Sequence, residues 1–162
     1  MKSNECTVVT CPERHETKSG RVSIFLAGGI TNCPDWQSEI LQTPLAREPV
    51  DLLNPRRPAL DVSDESKFVE QIAWEAEHLR KADAILFWFC ADQIQPIALF
   101  ELGYWLRSEK PLFIGVNPRY PRRLDVIEQV RHARPDLRVC TEGLAALTWD
   151  VERWLFERDG AK

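Results

Sequence analysis

The chain has no apolar run near the roughly 18 residues a membrane span needs, and its first twenty residues are polar, without the apolar stretch of a secretory leader. A membrane partner is therefore not expected. There is no basic excess either. Lys and Arg total 21 against 25 Asp and Glu, a net charge of −4, so the chain is not expected to grip a nucleic-acid backbone. Its five cysteines, Cys6, Cys11, Cys33, Cys90 and Cys140, contain no CxxC pair. Their odd number predicts reduced thiols and a cytoplasmic setting rather than a disulfide framework. Cys6 and Cys11 with His15 make an incomplete metal set. GxGxxG and GxxxxGK[ST] are both missing, which removes the usual signatures of dinucleotide and P-loop chemistry. His15, His78 and His132 are scattered and make no triad with a serine or cysteine.

What is present reads as one globular domain. The 162 residues are 44% hydrophobic and 28% charged, enough for one core and too few for two ordinary ones. Residues 1–20 show no periodicity and are expected to form a flexible polar arm before a domain at 21–162. Apolar runs then alternate with helical stretches. Strands are predicted at 22–27 (VSIFLA), 50–53, 84–89 (AILFWF), 111–116 (PLFIGV) and 137–140. Helices are predicted at 34–41, 64–81, 95–108, 122–133 and 142–158. Strands alternating with helices imply an α/β fold with a doubly wound parallel sheet. The run 84–89 is apolar throughout, as a central strand covered on both faces should be. Such sheets bind ligands beyond the carboxyl ends of their strands. Gly28, Gly29 and Ile30, Asn54, the end of the 84–89 run and Asn117 occupy those ends.

Two acids stand where apolar residues are expected. In the 64–81 helix, Phe68, Ile72, Leu79 and Ala82 define one stripe at helical spacing, and Glu75 falls in its middle. In the next helix, Glu101 lies beside the stripe of Ala98, Leu102 and Trp105. A carboxylate facing a core is costly unless paired, and its pKa tends to rise. Each could meet an arginine or cap a loop. Two on adjacent helices facing one sheet match the paired carboxyls that cleave glycosidic bonds, one attacking the anomeric carbon and one handling the leaving group's proton. Around them, Asp35 reads either as a helix cap or as a pocket residue beside Trp36. Asp83 reads as a turn residue, and Asp92 follows the central strand. Arg56 is positioned to meet a phosphate or a polar base edge. Phe87, Trp88 and Phe89 are expected to supply an aromatic wall for a planar base, with glycines letting the backbone come close.

The segments FLAGGIT with DW following, LNPRR, QIAWE, ADAILFWF and ALFELGYW together resemble the nucleoside 2-deoxyribosyltransferase family and its nucleotide-hydrolase relatives. The resemblance runs from about Arg21 to Gln129. It implies a flavodoxin-like three-layer sandwich. It implies that Glu101, in the ELG segment, is the nucleophile that forms a covalent 2-deoxyribosyl ester, with Glu75 contacting the base or sugar. An incoming base then gives transfer, and water gives hydrolysis of a nucleoside or nucleotide. The alternative is a non-catalytic nucleotide-binding module of the same fold. Two positions depart from the family pattern: Phe25 stands where a tyrosine orients the nucleophile, and Gln95 stands near the place of an aspartate. The resemblance also implies homo-oligomers whose pockets a neighbouring subunit completes, with small-molecule nucleosides or nucleotides and free nucleobases as partners. No metal or organic cofactor is expected, because the sugar's ring oxygen activates the anomeric carbon.

Overall fold

The computed structural model describes residues 5–17, 20–58, 60–61 and 63–160. Six strands form one all-parallel sheet in the order β1-β3-β2-β4-β5-β6. They are β1 (Thr7–Thr10), β2 (Val22–Gly28), β3 (Val50–Asn54), β4 (Ala84–Phe89), β5 (Leu112–Val116) and β6 (Val139–Cys140). The helices are α1 (Trp36–Ile40), α2 (Glu65–Lys81), α3 (Pro96–Trp105), α4 (Arg123–Ala133) and α5 (Leu144–Gly160). From β3 to β6 around β2 the order is flavodoxin-like, with β1 added at the outer edge.

Every residue of β4 is buried, and its side chains alternate between two cores. Ile85, Phe87 and Phe89 pack with Trp74, Ala98, Leu102 and Val126 beneath α2, α3 and α4. Ala84, Leu86 and Trp88 pack with Trp36, Ile40, Leu147 and Val151 beneath α1 and α5. The result is a three-layer sandwich. The chain leaves β2 for β3 on one side and returns to β4 on the other, so the strand order reverses at the β2–β4 pair. That is the switch point at which such sheets leave a crevice, and Gly28 pairs with Trp88 there.

The sequence reading differs from the structure in two places. Within the expected arm 1–20, Thr7–Thr10 is a strand, in register with Asp51 to Asn54 of β3. A four-residue β-branched run is too short to show a period, and the exposed edge of β3 is what recruits it. The segment after it is also tied down. Trp74 Nε1 donates to the Glu13 carbonyl at 2.6 Å, the His15 N–H donates to His78 Nε2 at 3.3 Å, and the His15 ring pairs with the buried Asp51 at 3.0 Å. Residues 1–4 and 18–19 lie outside the described part of that stretch. The second difference is the rotation of α2. Its buried face carries Gln71, Trp74, His78 and Leu79, while Phe68 and Ile72 are 44% and 52% exposed. Polar Gln71 and His78 go inward because each finds buried partners there, and Glu75 sits half-buried at the flank of that face.

Candidate active site

α2 begins where Asp64 caps it, accepting from the N–H groups of Ser66 and Lys67. α3 begins at Pro96, preceded by Gln95 in the left-handed region (φ 57°). The two helices lie in one layer on the sheet and carry the two acids. Burial pushes the Glu101 carboxyl up to about 8, and repulsion from Glu75 adds to the rise. Burial also raises Glu75, partly offset by a hydrogen bond from Gln71. Among the described residues no hydrogen bond reaches the Glu101 carboxyl. Phe25, without a hydroxyl, is buried against Trp74 with ring centroids 6.1 Å apart. Two acids that repel each other do not both ionise easily.

Glu75 is held from one turn back along its own helix. Gln71 Nε2 donates to Glu75 Oε1 at 2.7 Å and to the Pro55 carbonyl at 2.7 Å. The Gln71 oxygen accepts in turn from the Cys11 thiol at 2.9 Å. Burial pushes that thiol up to about 11, so it stays a donor. Neither Gln71 nor Cys11 stands out in the sequence. A glutamine on a helix face is ordinary until the strand and loop beside it are known.

The loop after β2 lies at the switch point of the sheet. Gly28 (φ +156°) passes so close to β4 that a Cβ on it would lie 2.3 Å from the Trp88 carbonyl oxygen. The Gly29 N–H donates to Gln95 Oε1 at 2.8 Å, and its carbonyl accepts from Trp36 Nε1 at 3.0 Å. Gln95 Nε2 then donates to the carbonyls of Cys90 at 2.9 Å and Gln93 at 3.0 Å. Gln95 thus ties the β2 loop to the β4 loop. Its sequence signals are its place before a helix-starting proline and its departure from the aspartate of the family pattern.

Arg56 is committed to the same loop. Its guanidinium donates to Gln37 Oε1 at 2.8 Å and to the carbonyls of Pro34 at 2.8 Å, Ile30 at 3.3 Å, and Gly29 and Cys33 at 3.4 Å. It also pairs with Asp35 at 3.3 Å. The expected free phosphate contact meets a side chain already engaged by protein. Arg56→Ala is therefore expected to lower stability by about 1–3 kcal/mol, seen in chemical unfolding, and to weaken phosphorylated and free nucleosides alike. A loss confined to 5′-phosphorylated substrates would restore the phosphate contact.

The remaining expected residues fall into two groups. Ile30, half-buried, and Asp92, exposed, lie at the loops around the crevice, Asp92 near the Cys33 thiol. Asn54 ends β3 and accepts from the Arg56 N–H at 2.9 Å. Asn117 follows β5 and accepts from the Arg119 N–H at 3.0 Å. Asp35 caps α1, accepting from the Ser38 N–H at 3.1 Å. Trp36, Phe87, Trp88 and Phe89 are instead core side chains, none more than 6% exposed. They support the crevice from beneath. Among the described residues no group of three or more His, Cys, Asp or Glu side chains is placed to hold a metal ion. A cleft of about 170 Å³ beside His15 and Asp51, and another of about 200 Å³ between Phe113 and Trp154, contain neither glutamate.

The model of the family described as nucleoside 2-deoxyribosyltransferase like matches residues 21–120. That span runs from the start of β2 to just past β5 and includes both acids, Gln71, Gln95 and the glycine loop. No curated protein matches the chain.

Proposed function

Because the chain belongs to the nucleoside 2-deoxyribosyltransferase-like family, we propose that it exchanges the base of 2′-deoxynucleosides through a covalent ester between Glu101 and the sugar. The observation that carries the reading is the acid pair on α2 and α3, with Glu101 pushed to about 8 by burial and by Glu75. One proton on two carboxyls suits a reaction that needs one ionised group and one acid. The proton that burial holds on Glu101 in the free protein passes to Glu75 when substrate is bound. The ionised Glu101 oxygen then attacks the anomeric carbon, the carbon–nitrogen bond breaks, and the base leaves with the bonding electrons and the proton delivered by Glu75. The product is an ester on Glu101, an ionised Glu75 and a neutral base, so charge and proton balance. An acceptor base reverses the step. Water in its place returns the proton to the pair and frees the sugar, which is the hydrolase reading.

The walls of this site are assigned to Gly28, Gly29, Ile30, Asn54, Asp92 and Asn117, with Trp36, Phe87, Trp88 and Phe89 behind them. The site is also read as shared. Ile97 and Phe100 on α3 are 64% and 73% exposed, and Ile72 faces outward from α2. An apolar surface on the two helices that carry the acids favours a second copy of the chain as its cover. All five cysteines are free thiols, which fits the cytoplasm. Among the described residues no helix is long and apolar enough to cross a membrane.

The test is incubation with a deoxynucleoside and a second free base. A swapped base means transferase, free sugar means hydrolase, and neither means a binding module. The kcat/KM profile is expected to be bell-shaped. Its acid limb marks the first ionisation of the pair, and its basic limb lies near 8, where the last proton leaves. A rate that climbs through pH 8 to a plateau would show that the leaving base draws its proton from elsewhere.

A further inference from the structure

Resting on the reading of Glu75 and Glu101 given above, we propose that Gln71 is a positioning residue that aims the acid of the pair, with Cys11 and Pro55 locking its amide in place. Donor and acceptor identity fixes which way the Gln71 amide faces. The Pro55 carbonyl can only accept, so the side of the Gln71 amide facing it is the NH2 group. The Cys11 thiol donates, so the group facing it is the amide oxygen. Both neighbours impose the same orientation, and they come from different parts of the chain: Cys11 follows β1 and Pro55 follows β3. The remaining amide hydrogen then has one place to go, Glu75 Oε1 at 2.7 Å.

This has a chemical consequence. When Glu75 is protonated, the oxygen that accepts from an amide N–H is favoured as its carbonyl oxygen, because the carbonyl oxygen is the better acceptor. With Oε1 occupied, the acid proton of Glu75 belongs on Oε2, to which no described residue donates. Gln71 therefore selects the oxygen that delivers the proton and holds the carboxyl plane still. In the step, the Oε2–H bond breaks as the base nitrogen takes the proton, and the bonding electrons of the sugar–base bond leave with the base. Gln71 gains and loses nothing. Beyond the small lowering its hydrogen bond exerts on Glu75, its role is geometric, and it matters when the leaving group needs a proton.

That condition supplies the test. Two substrates are compared in the full-length protein: a 2′-deoxynucleoside, whose base must be protonated as it leaves, and 4-nitrophenyl 2-deoxyriboside, whose phenolate leaves without a proton. Gln71→Met keeps the length and helix preference of the side chain but has no amide. It is expected to lower kcat on the deoxynucleoside at least tenfold with KM little changed, and to leave nitrophenol release within about twofold of the parent. Cys11→Ser, which keeps a donor to the amide oxygen, is expected to behave as the parent. Cys11→Ala is expected to share the selective loss in weaker form, and it reads the same contrast if Gln71→Met does not fold. Equal losses on both substrates in Gln71→Met would make Gln71 merely structural and overturn the proposal. So would a selective loss in Cys11→Ser as large as in Cys11→Ala. If the unmutated protein releases neither base nor nitrophenol, it is the reading of the site as an N-glycosyl enzyme that fails, and the proposal falls with it.

Discussion

Glu101→Gln is expected to lose base release by a thousandfold or more and, at the same time, to make the protein more stable above neutral pH. The first effect follows from removing the nucleophile, because the ester cannot form and several kcal/mol of barrier return. The second follows from linkage. The Glu101 carboxyl ionises near 8 in the folded chain against an ordinary value of 4.5. Between those values the unfolded chain has released a proton that the folded chain keeps, so folding loses stability as pH rises from about 4.5 to about 8 and then levels off. A glutamine has no proton to release. Melting curves at pH 5 and pH 8 should therefore show little difference between variant and parent at the acid end. At the basic end the variant should gain on the order of 4 kcal/mol. A folded variant with near-normal turnover would remove Glu101 from the mechanism. A stability gain no larger at pH 8 than at pH 5 would mean that its carboxyl is not held out of water.

Gly28→Ala is expected to be the most damaging single-methyl change in the crevice, costing about 2–4 kcal/mol. The added Cβ would sit 2.3 Å from the Trp88 carbonyl oxygen and 2.8 Å from the Trp36 ring. One of these is backbone of the central strand, which cannot give way without disturbing pairing on both sides, and φ +156° adds strain for any side chain. Gly103→Ala is the control. It lies in α3, and a Cβ there meets nothing within 4 Å, so it should gain about 0.5–1 kcal/mol from helix propensity. Urea unfolding of both variants measures the difference. A Gly28→Ala variant as stable as the parent would mean that the β2 loop is free to move away from β4.

From β2 onward, the order of strands and helices, the buried character of β4 and the two misplaced acids were legible in the amino-acid sequence. Each depends on local periodicity, which the chain carries in itself. The motifs flanking Glu75 and Glu101 pointed to the family for the same reason, since a short run of residue types survives without coordinates. Boundaries shifted by one to three residues, as at α1 and α3, and at the start of α1 the capping residue Asp35 decides the boundary.

The use each polar side chain is put to was decided only in three dimensions. The sequence read Phe68 and Ile72 as the inner face of α2, but the helix turns Gln71 and His78 inward. A polar group can be buried wherever partners wait for it, and the partners of Gln71 come from strands and loops far along the chain. Arg56 looked free for a ligand and is consumed by the loop it faces, since five carbonyl and amide oxygens converge on it only after β2 and β3 are paired. Trp88 and Phe89 read as a wall and became core, because a strand covered on both faces leaves no open side. Thr7–Thr10 gained its strand from the edge of β3 rather than from its own pattern. By itself the sequence determined which elements form from β2 onward and which acids are anomalous. Tertiary structure decided how Glu75 is held, because the Cys11 and Pro55 groups that fix the Gln71 amide lie far from it in sequence.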